Sequence, residues 1–136
     1  MSESGSRVVH WAPELWPELA VREYKSSGEG HCGVTRRLLV GEGDAGLASE
    51  LRFFEVEAGG RTSFERHEHA HAVVVLAGRG HVRLGERREA IAPFDLVYVA
   101  PRTPHRFLAD AGERLGFLCL VDRRRDRPEP VPEDGA

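Results

Sequence analysis

Eight short runs of apolar or alternating character, bounded by Gly, Pro or Asp turns, occupy residues 34–40, 51–57, 72–77, 81–84, 90–92, 96–100, 105–109 and 115–121. Each has the length of a strand, and none carries the sustained 3.6-residue periodicity of an amphipathic helix. The turn signals between them are explicit at Gly59-Gly60, Gly78-Arg79-Gly80 and Gly85-Glu86. Short strands punctuated in this way predict an all-β fold, a sandwich or barrel, rather than alternating strands and helices.

The flanks read differently. Residues 1–7 are polar and predict a loose, disordered arm. Residues 8–25 hold Trp11 and Trp16, and Pro13 and Pro17 argue against a long helix there. The two tryptophans are expected on an outer surface or against a partner subunit. Residues 26–33 and 41–49 read as loops. Residues 122–136 are charged and proline-rich, too polar to bury much, and predict a flexible tail. A single barrel domain over 8–121 follows.

At 136 residues the chain has material for one domain and one core. A net charge of -3 offers no overall basic field, so nucleic acid is not an expected partner. No apolar run has the length of a membrane-crossing helix, and the first residues lack the apolar core of a secretion signal, so no membrane partner is expected. Cys32 and Cys119 form no CxxC pair and no disulfide framework. A cytoplasmic location is the default expectation.

The chemistry concentrates in the stretch Glu65-Arg66-His67-Glu68-His69-Ala70-His71. In an extended strand, residues two apart share a face, so Glu65, His67, His69 and His71 would line one side of the chain. Imidazole and carboxylate together suit a divalent transition metal such as Mn, Fe, Ni, Cu or Zn. A solvated face of alternating histidines is the plain alternative, but three histidines in five residues beside the apolar run 72–77 favour ligation. His105 follows later, after a proline-rich turn. His10, His31 and His81 are expected to be ordinary loop or surface residues.

The stretch from Gly59 to His105 resembles the paired motifs of the cupin superfamily. The first motif is glycine, five residues, His-x-His, three or four residues, Glu, six residues, glycine. Laid on this chain it begins at Gly59 and ends at Gly78, with Glu65 and His67 in the two histidine slots and His71 in the glutamate slot. The spacing holds while two ligand identities are exchanged. In a second register His67 and His69 are the His-x-His pair, and Glu65 stands outside the ligand set. The second motif reads Phe-Asp-Leu-Val-Tyr-Val-Ala-Pro-Arg-Thr-Pro-His here. Asp95, Pro101, Pro104 and His105 match it. Phe94, Ala100 and Arg102 depart at its Gly, Pro and Gly slots, and Ala109 departs at its Asn slot.

The resemblance implies a double-stranded β-helix, or jelly-roll barrel, holding a metal ion. His67, His71 and His105 are ligands in either register, and His69 and Glu65 compete for the remaining place. It also implies a homodimer, for which segment 8–25 has the aromatic content. Val73, Val75, Phe107, Phe117 and Cys119 are the expected apolar walls, with Tyr98 or Arg102 offering a polar contact. The expected activity is metal-dependent, oxygenase-type (dioxygenase) chemistry on a small organic substrate. Small-ligand binding or sensing without turnover, and isomerase or lyase chemistry, are the alternatives.

Overall fold

The computed structural model describes residues 5–12, 16–25, 30–41 and 43–133. Its elements are strands: β1 (Arg22–Glu23), β2 (Cys32–Val40), β3 (Ser49–Arg61), β4 (Glu65–Arg66), β5 (His71–Ala77), β6 (Gly80–Leu84), β7 (Arg87–Ile91), β8 (Leu96–Val99), β9 (His105–Ala109), β10 (Leu115–Asp122) and β11 (Glu129–Pro130). Every pairing is antiparallel. No helix among the described residues is long and apolar enough to cross a membrane.

The sheet curls into two facing layers. One runs β1-β2-β3-β10-β5-β8, and the other runs β7-β6-β9-β4-β11. The long strand β3 joins them. It pairs with β2 and β10 over most of its length and meets β9 where Arg61 faces Leu108. Strand β3 was expected to stop at Gly59-Gly60, but it runs through both. Gly59 has φ 76°, which lets the strand bend from one layer to the other without ending.

Period-two alternation decides which side chains go inside. Phe54, Val56, Val73, Val75, Phe117 and Cys119 from the first layer meet Val82, Ile91, Phe107 and Ala109 from the second, all buried. Phe117 stacks on Phe54 at 5.5 Å and on Phe107 at 4.5 Å, so one aromatic ladder bridges the layers. Removing such side chains from water is the main stabilising term of a barrel this size.

Both flanking segments make contacts with the barrel. The segment read as a flexible tail lies against the barrel over its described part, because it finds backbone and charge partners that its composition does not reveal. Glu129 and Pro130 pair with Arg66 and Glu65, the Val131 amide donates to the Phe64 carbonyl at 3.0 Å, and Glu133 meets Arg106 at 2.7 Å. In the arm, Arg7 is bound to the Asp44 carboxylate. Residues 1–4, 134–136 and Pro13 lie outside the described residues. Trp16 packs edge-on against Phe53 of its own chain at 4.9 Å, while Trp11 is exposed.

The turns at the two departed glycine slots keep the glycine conformation without glycine. Phe94 has φ 75° and Arg102 has φ 67°. A side chain there costs about 1–2 kcal/mol, and Phe94 gains little burial in return, being 81% exposed. Phe94→Gly is therefore expected to raise the thermal midpoint by about 2–4 °C, after the entropic cost of glycine is deducted. A scan in which the midpoint falls would show that the Phe94 ring contributes more than its turn conformation costs.

Candidate metal centre

The loop between β4 and β5 and the first residue of β9 carry the cluster. Strand β4 ends at Arg66, and residues 67–70 form a bend rather than a continuous strand. Glu65 faces His105 in register across β4 and β9. His71 opens β5. All five residues expected as ligands thus reach one end of the barrel, but through a bend, not through simple alternation on a single strand.

The donor atoms converge in two overlapping groups, His67 with His69 and His71, and Glu65 with His67 and His105. Within each group the donors lie within 4.8 Å of one another. His67 belongs to both. The Nε2 atoms of His67 and His71 are 2.9 Å apart. Two imidazoles bound side by side on one ion, with bonds of about 2.1 Å, would sit roughly 3–3.4 Å apart, close to that separation. The His67 and His69 rings lie parallel at 3.7 Å. Both Glu65 and His69 face the cavity, so the geometry admits either motif register.

Each ring is anchored from behind through Nδ1. His67 donates to the His69 carbonyl at 2.6 Å, and His105 donates to the Thr103 carbonyl at 2.8 Å. His69 donates to the Asp126 carboxylate at 2.8 Å. His71 Nδ1 lies 2.8 Å from the Cys119 sulfur. Anchoring of this kind orients an imidazole and selects the tautomer whose Nε2 lone pair is free for a metal. Glu65 is ion-paired with Lys25.

Electrostatics point the same way. Burial, reinforced by the neighbouring His105, lowers the His67 pKa to about 4. Burial likewise pushes His71 well below the usual imidazole range and lowers His105. These rings are neutral at physiological pH, the form that binds a metal. Burial raises the Cys119 pKa, so the thiol keeps its proton. Asp126 is held below the usual carboxylate range, first by the Glu68 amide and then by the His69 ring. The neutral nitrogen donors, one carboxylate and anchored rings fit a divalent transition ion.

The depressed histidines also set a pH dependence. In the unfolded chain they take up protons near pH 6.5, while His67 in the fold does so near pH 4. The unfolded state therefore binds more protons in that window, and stability falls as pH drops through it. The thermal midpoint of metal-stripped protein is expected to decline from pH 7 to pH 5. A midpoint flat across that range would contradict the neutral, buried assignment of these rings.

The cluster opens into a cavity of about 120 Å³. Phe107, Phe117 and Cys119 line it as expected, whereas Val73 and Val75 lie wholly buried in the core. Tyr98 was expected to reach the site but points outward, 63% exposed, because its parity on β8 is opposite to that of Val97 and Val99. Arg102 stays outside the cavity. Its amide donates to the His67 carbonyl at 2.7 Å and its guanidinium pairs with Glu68 at 2.9 Å, steadying the bend from behind. His81 pairs with Asp110 at the surface, His31 packs edge-on against Tyr24 at 5.0 Å, and His10 is exposed.

Sequence reasoning missed Tyr24, Lys25, Arg36, Arg52, Arg125 and Asp126. All but Asp126 line the cavity. Asp126 had no readable signal, since it sits among arginines in a segment that looks unstructured. Its carboxylate accepts from the Glu68 amide at 2.9 Å, the His69 amide at 3.2 Å and the His69 ring. Asp126→Asn keeps the shape but weakens the His69 anchor. It is expected to reduce metal affinity by about 10-fold, read by chelator competition. Unchanged affinity would place His69 outside the ligand set.

Comparison with known proteins agrees with this fold. The Cupin_2 family model, described as a cupin domain, matches residues 52–121. A 1-methylthio-D-xylulose 5-phosphate methylsulfurylase of Rhodospirillum rubrum is 44% identical over 114 residues, covering 84% of this chain and 72% of that protein. A cupin-2 domain crystal structure from Rhodospirillum rubrum superposes with TM-score 0.81 at 41% identity, covering 93% of this chain and 84% of that one. A cupin 2 conserved barrel domain protein from Rhodopseudomonas palustris superposes with TM-score 0.82 at 43% identity, covering 91% and 85%. A curled double-layered barrel, motif spacing intact from Gly59 to Gly78, and these matches over most of its length place the chain in the cupin family.

Proposed function

We propose that this chain is a metal-dependent enzyme acting at a carbon–sulfur bond of a small phosphorylated ketose. The observation that carries the reading is the convergence of His67, His69, His71, His105 and Glu65 on one cavity. In this reading His67, His71 and His105 are ligands, and His69 or Glu65 completes the set. A divalent ion held there would supply Lewis acidity toward a carbonyl oxygen.

The chain's own groups do the rest. Phe107 and Phe117 keep the inner wall apolar and exclude water. Lys25 holds Glu65 in place from the cavity rim. Cys119 presents a protonated thiol between His71 and Arg52, at 2.8 Å and 3.5 Å. The substrate class is carried over from the relative that shares 44% identity and is named for methylsulfur transfer. That name favours carbon–sulfur chemistry over the oxygenase chemistry expected from the motifs alone.

The test is turnover of 1-methylthio-xylulose 5-phosphate by metal-loaded protein, with and without an added thiol, under air and under argon. Conversion that needs the metal and proceeds without oxygen supports the reading. Oxygen uptake coupled to conversion restores the oxygenase reading. Metal binding without conversion under any condition favours a binding module.

Within the tryptophan segment Trp16 is folded onto Phe53 while Trp11 is exposed, and β8 offers a second apolar face. Among the exposed apolar side chains, Leu96 and Tyr98 on β8 and Leu120 on β10 share one face, with Tyr98, Ala72 and Leu120 in register across the sheet. An open edge strand beside such a face suits a second copy of this chain, paired about a two-fold axis. Light scattering on wild type and Leu96→Glu distinguishes a dimer through this face from a monomer.

A further inference from the structure

We infer that Arg36, Arg52 and Arg125 form a phosphate-binding subsite at the arginine side of the histidine cavity, seating the phosphate monoester of the substrate. This deepens the function proposed above and rests on it for the rest of the substrate.

Arg52 is the centre of the argument. It is 8% exposed, points inward from β3 and stands in register beside Cys119. Its Nη2 reaches only the Cys119 sulfur, at 3.5 Å, and its guanidinium lies 4.9 Å from the Phe54 ring centre. Its Nε has no hydrogen-bond partner. A guanidinium presents five N–H donors, and here burial leaves the one on Nε without a partner. Such a group in a cavity wall is a binding group awaiting an acceptor-rich ligand.

Its neighbours share its charge. Arg36 points to the same face from β2, opposite Phe54, and its Nε makes one long contact, 3.3 Å to the Glu23 carbonyl. Arg125 reaches the cavity from the C-terminal segment and pairs with Glu50 at 3.0 Å. Arg22 faces Arg36 across β1 and β2. Arg36 feels burial and then the charges of Arg52, Arg22 and Arg125, against Glu50 as the opposing carboxylate. Three guanidiniums therefore line this side of the cavity, and Glu50 pairs with one of them, Arg125.

One buried guanidinium with two more beside it is unfavourable unless an anion completes the group. A phosphate dianion matches both the charge and the fork geometry of several guanidiniums, whereas a carboxylate offers one charge and two oxygens. The subsite is also well placed. The contacts Arg52–Cys119 and Cys119–His71 separate it from the histidines by one side chain. A ketose of a few carbons can therefore hold its carbonyl end at the histidines and its phosphate at the arginines. Lys25 does not belong to the subsite, because Glu65 neutralises it.

The test is calorimetric titration of metal-loaded protein, in phosphate-free buffer, with xylulose 5-phosphate, xylulose, xylonate and inorganic phosphate. Xylulose 5-phosphate is expected to bind at least about 30-fold more tightly than xylulose, and inorganic phosphate is expected to compete with it. Arg36→Gln and Arg125→Gln should each narrow that gap by about 10-fold and leave metal content unchanged. Arg52→Gln should nearly close it. Arg52 is buried, so if that variant does not fold, the two more exposed variants decide. Equal affinity for the two sugars, no measurable binding of the ester, preference for xylonate, or a gap that survives Arg36→Gln and Arg125→Gln overturns the inference. Phosphate discrimination without metal binding would overturn the proposed function and leave the subsite standing. Metal-dependent turnover without discrimination would do the reverse.

Discussion

His71→Ala should reduce metal affinity by more than about 100-fold, exceeding the loss typical of removing an outer anchor. His71 is a proposed ligand in both motif registers, and its Nε2 lies 2.9 Å from that of His67. Its ring is also fixed by the Cys119 sulfur behind it, so its Nε2 is held in place before an ion arrives. Removing His69 or Glu65 should cost less, about 10-fold, because five donors converge where four protein ligands suffice. The larger of those two smaller losses identifies the fourth ligand. Chelator competition followed by metal analysis reads all three variants, and thermal midpoints confirm that each is folded. A His71→Ala protein that retains its metal would end the assignment.

The largest effect on stability is expected at Gly78→Ala. Gly78 closes β5 with φ 77°, and a Cβ built there would sit 1.5 Å from the Arg114 carbonyl oxygen. The obstacle is backbone, locked immediately before β10, so it cannot rotate away as a side chain would. Relief requires separating β5 from β10, the pair that carries Val73, Val75, Phe117 and Cys119. A loss above about 4 kcal/mol is expected, seen as insoluble protein or a midpoint lowered by more than about 10 °C. Gly85→Ala is the control. It also has positive φ, but a Cβ there meets nothing within 4 Å, so only the conformational strain of about 1 kcal/mol remains. Equal effects at the two positions would show that the close approach at Gly78 is not what constrains it.

Much of the barrel was legible because strand signals are local. The run 105–109 coincides with β9, and 115–121 falls within β10. Each combines β-branched or aromatic residues with a flanking turn, and their inward parity follows from the period of two. The exceptions are instructive. Gly59-Gly60 reads as a stop, yet in β3 it is a bend, since glycine signals freedom of the backbone without saying which way the chain will use it. Residues 122–136 read as free tail because composition measures what a segment can bury, not what it can pair with. Strand β11 is held by ladder hydrogen bonds and by Glu133 on Arg106, neither of which needs an apolar sequence.

The site divides along the same line. Residue type and spacing pointed to Glu65, His67, His69 and His71 as candidates, and the motif resemblance added His105, because metal-binding chemistry is written in the identity of a side chain and its distance along the chain. Both His69 and Glu65 reaching the cavity follows from the bend at 67–70, which no alternation rule describes. Asp126 behind His69, Cys119 behind His71, and Arg36, Arg52 and Arg125 beside them come from four separate segments. Their meeting depends on strand register and on where the chain returns, and those are settled by long-range pairing across the two layers. The donor set was thus present in the linear order of the chain, while its anchors and the charge that selects a ligand exist only once the barrel has closed.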